Sequence, residues 1–182
     1  VSGHTYTLFS KSFLGLGINE LTHHYLNDKS CFSNNYPLAE GGTGQGDVWK
    51  CETHLERLTN TVHKIDKQNI NQMVTSVDKW FALGALEGLS SSVPYDSLPS
   101  PFTLNDIMTI AAPSACDVEW ETLKNSDINN PYLYNTCLAA AYYYAIIIKG
   151  YGLDETTQID TKISNSNKLL DWTYGVVIQQ HH

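Results

Sequence analysis

The residues whose spacing most limits their chemistry are four cysteines: Cys31, Cys51, Cys116 and Cys137. None of them lies in a Cys-x-x-Cys pair, which argues against structural zinc and against a thioredoxin-like redox motif. Separations of 20 and 21 residues within two local pairs favour the disulfides Cys31–Cys51 and Cys116–Cys137. Closing loops of this size stabilises a fold by about 3 kcal/mol each on the chain-entropy model. The alternative is four reduced, buried thiols, because free cysteine is often buried.

Two disulfides imply an oxidising compartment, so the expected location is secreted or periplasmic. The sequence contains no Asn-x-Ser/Thr acceptor for N-glycosylation, which fits a bacterial secreted protein better than a eukaryotic ectoenzyme. Committing the cysteines to disulfides also argues against a cysteine hydrolase. A serine hydrolase has no Gly-x-Ser-x-Gly elbow to rest on.

Glycines and histidines offer two further kinds of chemistry. Residues 41–46 (GGTGQG) could cradle a phosphate, but they lack the Gly-Lys-Ser/Thr ending of a P-loop and follow no strand. A flexible loop is the better interpretation. His54 and His63 are too far apart along a helix to stack on adjacent turns, and His23 and His24 point in different directions, so no metal site is predicted there.

Composition excludes several partners. The chain has 182 residues, of which 42% are hydrophobic and 16% charged, which is typical of a globular soluble domain. A net charge of -8 argues against a nucleic-acid polymer as partner, since phosphate neutralisation needs clustered Lys and Arg. A single nucleotide remains possible because backbone amides and a divalent metal suffice for it. The longest apolar stretch, residues 138–148, is too short to span a membrane.

Hydrophobic periodicity and breaker residues predict an α/β chain. The predicted strands lie at residues 4–13, 80–89 and 158–163. The predicted helices lie at residues 20–26 with Asn19 as cap, at 52–68, from Thr103 with a reciprocal Asp106, at 131–149, and after the cap Asp171.

The strongest helix prediction covers residues 131–149, with Pro in the first turn and Gly150 as the stop. It contains Tyr142, Tyr143 and Tyr144 in succession. Three adjacent rings cannot all face the core, so at least one should lie at its boundary.

Several stretches taken together resemble the apyrase, or nucleoside triphosphate diphosphohydrolase (NTPDase), family, and the details lean toward its secreted bacterial members. The resemblance covers essentially the whole chain and depends on the order of these stretches: residues 6–20 (YTLFSKSFLGLGINE), 80–85 (WFALGA), Cys137 with the Tyr-rich helix that ends in residues 149–153 (KGYGL), 162–163 (KI) and 171–175 (DWTYG).

The resemblance implies a lobe of a two-lobed, actin-like (RNase H-like) enzyme. Such enzymes hydrolyse the terminal phosphates of nucleoside tri- and diphosphates with Ca²⁺ or Mg²⁺. A water attacks in line with a glutamate as base, and catalysis rests on positioning and charge neutralisation. The family's phosphate turns (Asp-x-Gly-Ser/Thr and Asp-Leu-Gly-Gly-Ala-Ser) and its catalytic glutamate motif precede these stretches in family order. We therefore expect no catalytic residue in this chain, and an N-terminal part of the same enzyme as its partner.

Residues matching the family's binding positions can be named. Tyr132 matches the aromatic on which bacterial members stack the nucleobase, with Tyr134 as the neighbouring alternative. Family members place a Tyr or Asn on the opposite side of the base, near Gly88. Glycine cannot supply that contact, so Glu87, Gly88 or another segment of the chain should line the pocket differently here. Trp172 matches the tryptophan that donates to a metal-bound water.

These matches predict the following organisation. Residues 1–170 form the nucleobase-binding lobe, incomplete at its N-terminal side, and residues 171–180 form a last helix that packs on the other lobe. Residues 181–182 are interpreted as a tag remnant. The alternative from another functional class is a non-catalytic nucleotide-binding or protein-interaction lobe that keeps only the scaffold.

Overall fold

The structure is a computed structural model, and it describes residues 5, 12–67, 77, 79–82 and 84–161. Most of the predicted strand at residues 4–13 lies outside the described residues. So does the predicted helix after Asp171, together with Trp172 and the proposed boundary between residues 170 and 171.

Short helices follow one another along the described chain. They are α1 (Ile18–Tyr25), α2 (Val48–Glu56), α3 (Ala85–Ser90), α4 (Leu104–Asp106), α5 (Ala112–Cys116), α6 (Trp120–Ser126) and α7 (Thr136–Tyr144).

Three of these helices continue as π-helical turns: α2 through Arg57–Val62, α4 through Ile107–Ala111 and α7 through Ala145–Gly150. Single 3₁₀ turns connect other elements: Lys29–Cys31, Ile65–Lys67, Tyr95–Ser97 and Leu133–Asn135. None of the described helices combines the length and the apolar character that a membrane crossing requires.

Helix α7 lies at the centre of the packing. Residues 136–141 are all buried, and α1, α2, α3 and α5 contact the helix. Its alanines at 139–141 are small enough to let neighbouring elements approach closely. The fully buried Tyr95 donates its hydroxyl hydrogen to the carbonyl oxygen of Thr136, 2.9 Å away. The core is thus built around the helix predicted at residues 131–149, although its α-helical part begins five residues later, at Thr136.

The tyrosines of α7 divide as predicted. Tyr144 is buried and donates to a carboxylate oxygen of Glu155 at 2.7 Å. Tyr142 and Tyr143 are only partly buried, and the Tyr142 hydroxyl donates to the carbonyl of Leu16. At least one ring at the boundary of the core is therefore confirmed.

A small parallel sheet joins β1 (Trp80–Phe81) to β2 (Ile159–Asp160), with Trp80 opposite Ile159 and Phe81 opposite Asp160. The predicted mixture of helices and strands is confirmed.

The predicted strand at residues 80–89 is wrong over most of its length. Gly84 has φ of +64°, which turns the chain, and Ala85–Ser90 then forms α3. Leu86 and Leu89 are buried at helical spacing, so an apolar run that fits a strand here forms one face of a helix.

Helix starts follow their capping residues. The Thr103 and Asp106 capping box is confirmed, with the Asp106 amide donating to Thr103 Oγ1 at 3.0 Å. The helix predicted at residue 52 begins at Val48 instead, because Asp47 accepts from the Lys50 amide and caps it. The predicted cap at Asn19 is wrong: α1 begins at Ile18, after Gly17.

Both predicted disulfides are present. Cys31–Cys51 fastens the 3₁₀ turn before the Gly-rich loop to α2, and Cys116–Cys137 fastens the end of α5 to the start of α7. The Cys137 sulfur lies 3.9 Å from the carbonyl oxygen of Ser30. The two crosslinks are therefore neighbours in the core, and they hold α2, α5 and α7 together.

Candidate functional site

A cavity of about 400 Å³ opens between α1, α3 and α7. This volume is within the range of small-molecule sites. Its lining comes from four parts of the chain: Ile18, Asn19, Ala85, Gly88, Leu89, Ser92, Asn130, Tyr132, Asn135, Thr136, Ala139 and Tyr143.

Tyr132 stands at this cavity on the turn that leads into α7. The Asn130 side-chain oxygen accepts from the Tyr132 amide at 3.0 Å, and Pro131 restricts the backbone between them. The Tyr132 residue is 62% exposed. A large aromatic side chain held by its backbone but not buried in the core has a face left over for a ligand.

Gly88 lines the same cavity from α3. Its amide donates to the Gly84 carbonyl at 2.8 Å, and a Cβ atom built on it would meet nothing within 4 Å. The absence of a side chain therefore leaves open space and bare backbone at this point of the wall. The structure thus brings Tyr132 and Gly88, the two predicted sides of the base pocket, to one cavity.

Tyr134 and Glu87 do not line the cavity. The Tyr134 ring stacks on Tyr36, with centroids 6.1 Å apart and planes 19° from parallel. Glu87 accepts from the Ser91 hydroxyl at 3.0 Å. Tyr134 belongs to an aromatic cluster with Tyr36 and Trp120 of α6, since Tyr36 also contacts Trp120 edge-on.

Sequence reasoning missed the face of α7 that forms the cavity floor. Asn135, Ala139 and Tyr143 recur at four-residue spacing and all line the cavity. Residues four apart share one side of a helix. The spacing was visible in the sequence, but which side of α7 stays open depends on how α1 and α3 pack against it.

The lining residues carry no formal charge: among the described residues, no Asp, Glu, Lys, Arg or His lines this cavity. Burial raises the pKa of Tyr143, and the neighbouring Tyr142 raises it further. The Tyr143 hydroxyl therefore keeps its hydrogen at physiological pH. Burial and then Tyr151 raise the pKa of Tyr142 to about 12. A neutral, partly apolar cavity suits an uncharged planar group and gives a phosphate no counter-charge.

The expected Ca²⁺ or Mg²⁺ ion has no coordinating cluster in the described part of the chain, where no three His, Cys, Asp or Glu side chains gather as a metal site requires. The residue expected beside the metal, Trp172, lies outside the described residues. The metal therefore stays a prediction from the resemblance.

No protein-family model matches the chain, and no curated protein matches it significantly.

Proposed function

We propose that this chain forms the nucleobase-binding side of an NTPDase, an enzyme that hydrolyses the terminal phosphates of nucleoside tri- and diphosphates. The observation that carries the proposal is the meeting of Tyr132 and Gly88 at one neutral cavity of about 400 Å³. These two positions are 44 residues apart in the sequence, and the resemblance alone had paired them as the two sides of a base pocket.

The chemistry of the cavity supports a nucleobase as occupant. A base is planar and uncharged, it stacks on an aromatic ring, and its edge carries hydrogen-bonding groups. The exposed Tyr132 ring supplies the stacking surface. Stacking on it is independent of the identity of the base, because every base has a π-face. The phosphates would project out of the cavity toward the rest of the enzyme.

The remaining parts of the proposal follow from the resemblance. The catalytic glutamate, the phosphate turns and the Ca²⁺ or Mg²⁺ site would be supplied by an N-terminal part of the enzyme, with Trp172 beside the metal. The actin-like lobe belongs to the same proposal. A secreted or periplasmic location is supported by the two disulfides, which persist in oxidising compartments.

The test is release of inorganic phosphate from ATP and ADP in the presence of Ca²⁺ or Mg²⁺. The chain is assayed alone and then as the C-terminal part of the longer, two-lobed protein that the resemblance implies. We expect activity in the longer protein only. Inactivity of both would overturn the enzymatic proposal.

Two variants of the longer protein separate the roles. Trp172→Ala should lower kcat, since a group beside the metal acts on the reacting end of the substrate. Tyr132→Ala should mainly raise KM, because stacking of the base is shared by substrate and transition state. Equal effects of both variants on KM alone would contradict these roles. Nucleotide binding without hydrolysis would favour the non-catalytic binding lobe.

A further inference from the structure

Asn135 is the buried amide of the cavity. The residue is 6% exposed, and it lies one turn after Tyr132 at the start of α7. Its backbone amide donates to the Tyr132 carbonyl at 3.2 Å. Among the described residues its side chain has no hydrogen-bond partner, and its polar atoms are not fully enclosed by the protein. The cavity that it lines is the place where its hydrogen bonds can be made.

Three other short polar side chains of the cavity lining are already engaged. Thr136 Oγ1 donates to the Leu133 carbonyl at 2.8 Å, and Ser92 Oγ donates to the Leu89 carbonyl at 3.0 Å. The side-chain oxygen of Asn130 accepts from the Tyr132 amide. Asn135 is thus the buried lining residue whose donors and acceptor are both uncommitted in the described part of the chain.

We infer that Asn135 determines how this cavity recognises its nucleobase, by hydrogen bonding to the edge of a base that stacks on Tyr132. This inference rests on the proposed function, and it adds the residue that reads the edge. A carboxamide offers one acceptor oxygen and two N–H donors side by side. That pattern complements a base edge that has a donor next to an acceptor, as adenine has in its amino group and N7.

The same chemistry lets Asn135 accept several bases and still discriminate against bases that lack a hydrogen-bonding group. A half-turn of the carboxamide exchanges its oxygen and nitrogen, so an asparagine can serve bases that order donor and acceptor oppositely. A base analogue that lacks one of the two groups leaves the buried amide unpaired. Sites built on a hydrogen bond discriminate against such analogues.

The experiment measures binding of two nucleosides, adenosine and purine riboside, to the 182-residue chain by titration calorimetry. Purine riboside lacks the exocyclic amino group. The unmodified chain should bind adenosine about tenfold more tightly than purine riboside. In Asn135→Ala this ratio should fall to about one, because the partner of the amino group is gone.

Asn135→Asp supplies a second readout. A carboxylate only accepts hydrogen bonds, so it fits the adjacent N1–H and amino donors of guanine. Binding should shift toward guanosine and away from adenosine. Asn129→Asp is the matched control, since Asn129 is exposed, lies outside the cavity lining and gains the same charge. It should leave the guanosine-to-adenosine ratio unchanged. Thermal unfolding checks that each variant is folded, and Asn135→Ala decides alone if the carboxylate variant does not fold.

The outcomes separate this inference from the function on which it rests. An equal adenosine-to-purine-riboside ratio in the unmodified chain and in Asn135→Ala overturns the role of Asn135 while leaving a base pocket at Tyr132. Failure of the unmodified chain to bind any nucleoside overturns both. Nucleoside binding that depends on Asn135, in a protein that releases no phosphate, keeps the inference and removes only the hydrolytic function.

Discussion

Gly46 packs directly against the backbone of Cys116, so closely that a Cβ atom on Gly46 would lie 1.9 Å from the Cys116 carbonyl oxygen. Its φ of +58° adds a second demand for glycine. Nearby, a Cβ atom on Gly44 would lie 2.2 Å from the carbonyl oxygen of Ser33. The Gly46 amide also donates to the carbonyl oxygen of Phe32 at 2.8 Å, which fixes the loop further. Gly44 and Gly46 therefore serve close backbone packing beside a disulfide.

Gly46→Ala should be strongly destabilising, by more than about 3 kcal/mol, because the backbone of Gly46 or of Cys116 has to move. Gly17→Ala is the matched control: Gly17 has φ of −65°, and a Cβ atom there meets nothing within 4 Å. The control should change the free energy of unfolding by less than about 1 kcal/mol. Denaturant unfolding with the disulfides intact measures both. Similar stability of the two variants would refute the packing role of Gly46.

The bridge between Cys116 and Cys137 should contribute a comparable amount to stability. Replacing both cysteines by alanine should lower the free energy of unfolding by about 3 kcal/mol, because the unfolded chain regains the freedom of a loop of this length. Labelling of thiols under denaturing, non-reducing conditions should find none in the parent chain. Two labelled thiols per pair in the parent would show that the bridges are not formed.

Glu52 should make the fold less stable at neutral than at acidic pH. It is 5% exposed on α2, and its Oε1 atom has no hydrogen-bond partner. Burial raises the pKa of Glu52 most, and the negative charge of Glu56 raises it further. The positive charge of Lys149 lowers the pKa by less than these two effects raise it. A raised pKa means that stability is fully present below the ordinary glutamate range and is lost as the pH rises through the folded-state pKa.

Glu52→Gln should therefore raise Tm by a few degrees at pH 8, and this gain should disappear near pH 4. Glu40→Gln, at an exposed carboxylate, removes the same charge and should change Tm little at either pH. Scanning calorimetry across this pH range provides the comparison. A gain that is constant with pH would mean that ionisation of Glu52 is not its cause.

Tyr132 should matter for nucleoside binding, whereas Tyr134 should matter for stability. Tyr132→Ala should weaken nucleoside binding about tenfold and leave Tm nearly unchanged, since the residue is largely exposed and stacking on a base carries the interaction. Tyr134→Ala should lower Tm, because the ring stacks on Tyr36. Calorimetric titration with adenosine and thermal unfolding measure the two effects. If Tyr134→Ala weakened nucleoside binding and Tyr132→Ala did not, the residue that stacks on the base would be Tyr134 instead of Tyr132.

Local chemistry explains which parts of the fold were predictable. Cysteine spacing predicted both bridges because local pairs are the simplest way to close such loops, and the Thr103 capping box was predicted because it is a short-range pattern. Residues 85–90 were predicted incorrectly, since an apolar run without a clear period fits strand or helix until Gly84 fixes the turn.

The candidate site also contains residues that the sequence could predict and one that depends on tertiary packing. Tyr132 and Gly88 came from a resemblance between stretches of sequence, which carries positions but no geometry. Asn135 carries no sequence signal of its own, because an asparagine at a helix start is most often an ordinary polar residue. Its significance arises only when α1 and α3 pack around α7 and leave its buried side chain facing an open space.

Each disulfide is enclosed in its own stretch of chain, since the second bridge begins long after the first has closed. In a polypeptide threaded through a translocation channel from its N-terminus, Cys51 would meet Cys31 before Cys116 had emerged. The order of export would then exclude both incorrect pairings of four cysteines without help from an isomerase.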